Sequence, residues 1–220
     1  MSAEDTRMRL LEAAQRLFAK GGEEATSLRA VTREAGANVA SVHYHFGGRD
    51  GLLREVLNQH VAPINSRRLA LLDAAVRETS NPSLHTLAEA FVRPDLETLA
   101  RLRDEEPQLA RFVGRAYSQP SPAVAEAVTQ QFAAMAERFL PLLAARLPEL
   151  DDEELGARMD MVVALITSLF ARATPVGIAP PLRSEDLETQ VARLISMVVG
   201  ILSSPSTPSK GGPDENAAPR

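Results

Sequence analysis

The stretch Thr26-Ser27-Leu28-Arg29-Ala30-Val31-Thr32-Arg33-Glu34-Ala35-Gly36-Ala37-Asn38-Val39-Ala40-Ser41-Val42-His43-Tyr44-His45-Phe46 decides how this chain is read. Thr26 and Ser27 are N-cap residues, whose side-chain oxygens can accept from the open amides of a first helical turn. Leu28, Val31 and Ala35 recur at spacings of three and four, one face of a short helix. Gly36 follows the last of them, where a left-handed residue ends a helix at low cost. Asn38 can cap a second helix, on which Val39, Val42 and Phe46 are expected to face inward. Ala40, Ser41, His43, Tyr44 and the edge of His45 then point outward or sideways. Two helices joined by so short a turn form the unit that sets its second helix into the major groove of DNA.

The flanks extend the pattern. Upstream, Met8, Leu11, Ala14, Leu17 and Phe18 mark the apolar stripe of a helix from about Ala3 to Lys20, closed by Gly21-Gly22. Downstream, Gly47-Gly48 breaks the chain, and Arg49-Asp50 opens a helix carrying Leu52, Leu53, Val56 and Leu57.

From about Thr6 to Leu57 the chain resembles the TetR/AcrR family of bacterial transcriptional regulators. The resemblance rests on Thr6-Arg7, Leu11, Ala13-Ala14, Leu17-Phe18, Gly22, Thr26-Ser27, Arg29, Ala35-Gly36, Tyr44-His45-Phe46, Gly47, Arg49 and Leu52-Leu53. There are departures: the turn reads Ala35-Gly36-Ala37-Asn38, Ala40 precedes Ser41, His43 replaces a usual Tyr, and Gly48-Arg49 stands for Ser-Lys. They leave the geometry intact and the base preference unread. The resemblance implies an all-α protein with a three-helix DNA-binding head and a helical body for effector binding and dimerisation. It also implies a cytoplasmic, nucleoid-associated regulator that is not an enzyme and needs no cofactor. The expected partners are a double-stranded DNA operator, an unknown small-molecule effector and a second copy of the chain. DNA contacts are expected from Ser27, Arg29, Asn38, Ala40, Ser41, His43, Tyr44, His45 and Arg49.

Composition suits that architecture. Ala, Leu and Arg abound, aromatic residues make up 4% and there is no Trp, which favours helices. The absence of cysteine excludes disulfides and thiolate metal sites. The net charge is −5, which at first sight argues against nucleic acid. In residues 1–50, however, Arg7, Arg9, Arg16, Lys20, Arg29, Arg33 and Arg49 balance Glu4, Asp5, Glu12, Glu23, Glu24, Glu34 and Asp50. The head is neutral, with Arg29, Arg33 and Arg49 as a basic rim and two helix N-termini to meet phosphates. Met1 to Asp5 is acidic with no apolar core behind it, which argues against a signal peptide. The apolar run from Met161 to Ala171 is too short to span a membrane.

Four regions are expected: a head at 1–50, a connecting helical region at 51–82, an effector-binding and dimerisation body at 83–203, and a disordered, Ser/Pro/Gly-rich tail at 204–220. Pro63, Pro94 and Pro141 are expected to kink or interrupt helices. The body helices span about 83–104, 107–117, 122–146, one opened by Asp151-Asp152-Glu153-Glu154, and about 184–202. In the last two, Leu155, Met159, Val162, Ile166, Leu169 and Ala173, and then Leu187, Val191, Leu194, Val198 and Ile201, repeat at alternating spacings of four and three. Such seams suit a four-helix bundle about a two-fold axis. The dimer face is accordingly placed at Met159, Val162, Ile166, Leu169, Val191, Leu194, Val198 and Ile201, with packing inside one subunit as the alternative.

An apolar effector pocket is placed at Phe91, Leu99, Phe112, Tyr117, Phe132, Met135 and Phe139, with simple core filling as the alternative. Arg93, Arg111 and Arg115 are candidate partners of an acidic ligand, though solvated arginines are the plainer reading. His43, His45, His60 and His85 show no metal-ligand spacing, and there is no nucleophile elbow or phosphate loop. The rival function is a helical scaffold or ligand-binding protein without DNA binding.

Overall fold

A computed structural model describes residues 2–171 and 186–205, and every regular element among them is a helix. The order is α1 (Ala3–Ala25), α2 (Leu28–Ala35), α3 (Val39–Phe46), α4 (Arg49–Glu78), α5 (Leu84–Glu105), α6 (Pro107–Ser118), α7 (Pro122–Ala144), α8 (Asp152–Ala171) and α9 (Leu187–Ser203). Ala173, the expected helix start at Ser184 and tail residues 206–220 lie outside the described residues.

Local chemistry sets the ends of the first helices. Ser2 and Asp5 form a reciprocal capping box at the start of α1. The backbone leaves helical geometry at Gly22, φ 80°, where the sequence places the stop, and one more turn follows to Ala25. Of the two candidate caps for α2 only Ser27 serves, accepting from Ala30 N–H at 3.2 Å. Thr26 is buried, and its hydroxyl donates to Gly22 O at 2.8 Å. Gly36, φ 59°, ends α2 in the left-handed region, and Asn38 caps α3 by accepting from Ser41 N–H at 2.8 Å. Leu10, Leu11, Ala14, Phe18, Val31, Ala35, Val42, Leu52, Leu53 and Val56 fill the core that α1 to α3 share with the start of α4.

The three internal prolines do not divide their helices. Pro63 lies within α4, Pro94 within α5 and Pro141 within α7. Each forfeits one i→i−4 hydrogen bond. The apolar faces on both sides stay packed: Val61 and Ile64 around Pro63, Val92 and Leu96 around Pro94, Phe139 and Leu143 around Pro141. Burial along a whole helix outweighs the loss of one bond. The connecting region is therefore one 30-residue helix reaching from head to body.

Head and body touch along α1, α4, α6 and α7. The Phe18 ring of α1 stacks on Phe112 of α6 at 5.7 Å. Arg54 donates to Ala123 O at 3.0 Å, and Ser121 donates to Glu23 at 2.9 Å. In the body the most extensive helix contact is between α6 and α8. Gly114 permits it, since a Cβ there would meet Ala171 N at 2.3 Å. The buried Arg158 of α8 donates to Leu202 O at 2.7 Å and Ser204 O at 2.6 Å, so a cation closes the C-terminus of α9.

Candidate functional site

Helix α3 turns one face to solvent. Val42 is fully buried, while Ala40, His43 and Tyr44 are exposed, Tyr44 at 81%. Ser41 and His45 are half-buried, and the His45 ring meets Tyr44 edge to face at 4.9 Å. Val39, expected inside, is 37% exposed, and Phe46 is only half-buried. An eight-residue helix has two turns, so its first residue extends past the edge of the core. Val39 thus joins the outward face as an apolar group suited to a thymine methyl.

The polar side chains differ in how free they are. Asn38 Oδ1 accepts from both the N–H and the hydroxyl of Ser41, the latter at 3.1 Å, so the Ser41 proton is already committed. Ser27 and Arg29 are exposed at the start of α2. Arg49 is placed otherwise than expected: Nε donates to Thr26 O at 3.4 Å, Nη2 donates to Glu23 O, and Nη1 lies 3.7 Å from the Glu23 carboxylate. Its guanidinium also sits 5.9 Å from the Phe18 ring centroid. Arg49 ties the start of α4 to the end of α1, so the basic rim reduces to Arg29 and Arg33. Arg7 pairs with Glu55 and stacks over Phe46 at 5.5 Å, bracing α1 against α3 and α4.

A second feature lies in the body. A cavity enclosing about 580 Å³, counting its open mouth, is bounded by α4, α5, α6, α7 and α8. Four of the seven expected pocket residues line it: Phe91, Tyr117, Phe132 and Met135. The other three do not. Phe112 stacks against the head, Phe139 packs edge to face on Phe91 at 5.1 Å, and Leu99 is a half-buried neighbour of the core. Arg93 is also elsewhere, bonded to Glu89 at 2.9 Å and Glu188 at 2.8 and 3.0 Å, which links α5 to α9. Arg111 and Arg115 do not line the cavity either.

The cavity also has polar content that the sequence does not reveal. Arg68 of α4 donates to Asp95 of α5 at 2.5 Å, to Phe91 O at 2.9 Å and to Asn65 Oδ1 at 2.8 Å, with its guanidinium 4.3 Å from the Phe91 ring centroid. Burial pushes the Asp95 carboxyl upward, and the guanidinium opposes it. The Tyr117 hydroxyl donates to Gln131 at 2.6 Å, and burial raises its phenol well above the usual range. A lone charged residue in a helical pattern reads as a solvated face, so nothing local marks Arg68 or Asp95.

The expected dimer seam is placed largely inside the subunit. Val162, Ile166, Val191, Leu194 and Val198 are buried within one chain, and Ile166 lines the cavity. Met159, Leu169 and Ile201 are half-buried. The 4-3 spacing marks a face that packs, and here that face packs on α5, α6 and α7 and on the other long helix. The large apolar side chains that α8 and α9 leave outside are Met161, 61% exposed, and Met197, 50% exposed. Ala164, Ala192, Ser196 and Gly200 flank them.

A short helical pair with a solvent-facing second helix, on a larger helical body, defines a helix-turn-helix DNA-binding protein. Residues 10–56 match the family described as bacterial regulatory proteins, tetR family, and residues 89–200 match the tetracyclin repressor-like C-terminal domain. The chain belongs to the TetR family of transcriptional regulators. It is 42% identical over 60 residues to the HTH-type transcriptional regulator LmrA of Bacillus subtilis (strain 168), a stretch covering 27% of this chain and 32% of that one. The chain thus spans about a third of that curated relative. A TetR-family regulator from Streptomyces coelicolor A3 shares the fold at a TM-score of 0.56 and 24% identity, over 90% of this chain and 95% of that one. The TetR-family regulator PfmR from Thermus thermophilus does so at 0.57 and 18%, over 87% and 97%. No described helix is long and apolar enough to cross a membrane.

Proposed function

We propose that the chain is a repressor that binds a palindromic operator as a dimer and is released by a small, largely apolar ligand. The observation that carries the DNA half is the two-sidedness of α3, with Val42 sealed inside and Ala40, His43 and Tyr44 outside. Ala40 is small enough to let the helix backbone approach base edges. The Tyr44 hydroxyl suits a phosphate, and His43 suits a base edge or the adjoining backbone. Residues 1–50 act as the head, 51–82 as the link and 83–203 as the body. The cavity is the effector site, because α4 both lines it and packs against α1 and α3.

Gel shift against the DNA flanking its own gene tests this directly. The expected complex weakens with salt, log affinity falling by about 0.9 for each phosphate neutralised per unit of log salt concentration. Tyr44→Ala weakens it by about tenfold, uniformly across sequences, whereas Ser41→Ala and His43→Ala also alter preference. No salt-sensitive complex, or three variants indistinguishable from wild type, refutes the reading of α3.

Dimerisation is assigned to the outward strips of α8 and α9 around Met161 and Met197, with small residues beside them that allow close helix approach. Met197→Asp yields monomers by sedimentation with unchanged circular dichroism. Val198→Asp, 1% exposed in the wild-type subunit, instead unfolds the chain, since it buries an unpaired carboxylate. A Met197→Asp protein that retains dimer mass rules out this face.

A further inference from the structure

Granted that the cavity is the effector site, its charge inventory narrows what can enter. We propose that it takes an electrically neutral molecule with an apolar body and a hydrogen-bond-accepting head, such as a ketone, ester or alcohol, and rejects ions of either sign.

The charged side chains among the described lining residues are Arg68 and Asp95. They are bonded to each other at 2.5 Å, and Arg68 Nε and Nη1 are engaged by Phe91 O and Asn65. The site therefore has a cation and an anion but no net charge. A carboxylate entering it must take Arg68 from Asp95, which strands the Asp95 carboxylate, or be buried without a counter-ion. An ammonium group competing for Asp95 strands Arg68 in the same way. Either outcome leaves an uncompensated buried charge, the arrangement protein interiors tolerate least. A neutral molecule meets neither obstacle.

The remaining polar groups choose the head. Asn65 Oδ1 is taken by Arg68, and Gln131 Oε1 by the Tyr117 hydroxyl at 2.6 Å. The donors left on those two amides are their N–H groups, which match an acceptor oxygen on the ligand. Tyr117 adds no negative charge, because burial holds its phenol protonated. The rest of the wall, including Val61, Val113, Phe132 and Phe170, is apolar and suits an aliphatic or alicyclic body.

Calorimetric titration of the full chain with 2-octanone, octanoate and octylammonium at neutral pH tests this, with Thr167→Trp, which fills the cavity, marking binding that occurs there. Circular dichroism confirms that each variant is folded. The expected result is cavity binding of 2-octanone, with both ions weaker by about a hundredfold or more. An ion whose Thr167-sensitive affinity lies within about tenfold of the ketone's overturns the neutral class and leaves the cavity reading standing. No Thr167-sensitive binding by any probe sinks the cavity reading and this proposal together. Asp95→Asn frees Arg68 and raises octanoate affinity by about tenfold or more relative to 2-octanone. An unchanged ratio in that folded variant shows that Asp95 does not set the charge preference. If the variant fails to fold, the wild-type series decides alone.

Discussion

Arg68→Ala lowers the free energy of unfolding by about 3–5 kcal/mol, the cost of removing one partner of a buried ion pair. The loss does not measure the attraction between Arg68 and Asp95. It comes from leaving the Asp95 carboxylate buried with no counter-ion, together with Phe91 O and Asn65 losing their donor. Urea denaturation of the single variants and of the double variant Arg68→Met/Asp95→Leu separates the two. The double variant should regain most of the loss, because two apolar side chains of similar volume leave nothing unpaired. The pH dependence has a definite sign. A carboxyl whose folded pKa is raised takes up a proton in the folded chain before the unfolded one does. Stability conferred by that proton appears as pH falls through the raised value and is complete below the unfolded value of about 3.9. Without Arg68 the Asp95 carboxyl rises further, so the deficit at pH 7 shrinks toward pH 5. A single variant with wild-type stability at both would show that the pair is not buried as described.

Gly51→Ala abolishes operator binding. A Cβ at Gly51 would sit 1.7 Å from Phe46 O and 2.9 Å from Phe46 C, which is overlap with backbone, not with a side chain that could turn away. The last residue of α3 and the first turn of α4 must therefore separate, and α3 loses its seating over Val42. Overpacking of this kind costs about 1–3 kcal/mol or more in stability. The effect on binding is larger, because a shift of an ångström at the reading face breaks several contacts at once. Gel shift and thermal unfolding measured on the same preparation separate the two. Retention of wild-type affinity would show that α3 can be reseated freely.

Much of the head was legible because its signals are local. Ser27, Gly36, Asn38 and Gly47 each act within one turn of where they stand, through a cap bond or a left-handed φ. Periodicity was also reliable for stating that a face is buried, and Val162, Val191 and Val198 are. It could not say against what, since the subunit's own core and a partner's surface select the same residue types. That is why we assign the proposed dimer face to Met161 and Met197, which break the 4-3 rhythm. The expected interruption at Pro94 fails for a related reason: a lost hydrogen bond is visible in sequence, and the packing that offsets it is not. Arg68 with Asp95, and Arg158 with the end of α9, are pairings across 27 and 44 residues. Gly51 and Gly114 are open to a helix in sequence and forced by neighbours that only the fold supplies.

Helix α4 has a mechanical consequence. Arg68 lies 19 positions along it from Arg49, which at 1.5 Å per residue is an arm of about 28 Å. A tilt of about 5° at the cavity end moves the other end by about 2.5 Å. In a symmetric pair of subunits the two displacements add or cancel according to the direction of tilt. Five ångströms of altered spacing between reading helices is about one and a half base-pair steps of a duplex whose turn is about 34–36 Å. A ligand too small to reach the head can in this way put the two α3 helices out of phase with the groove.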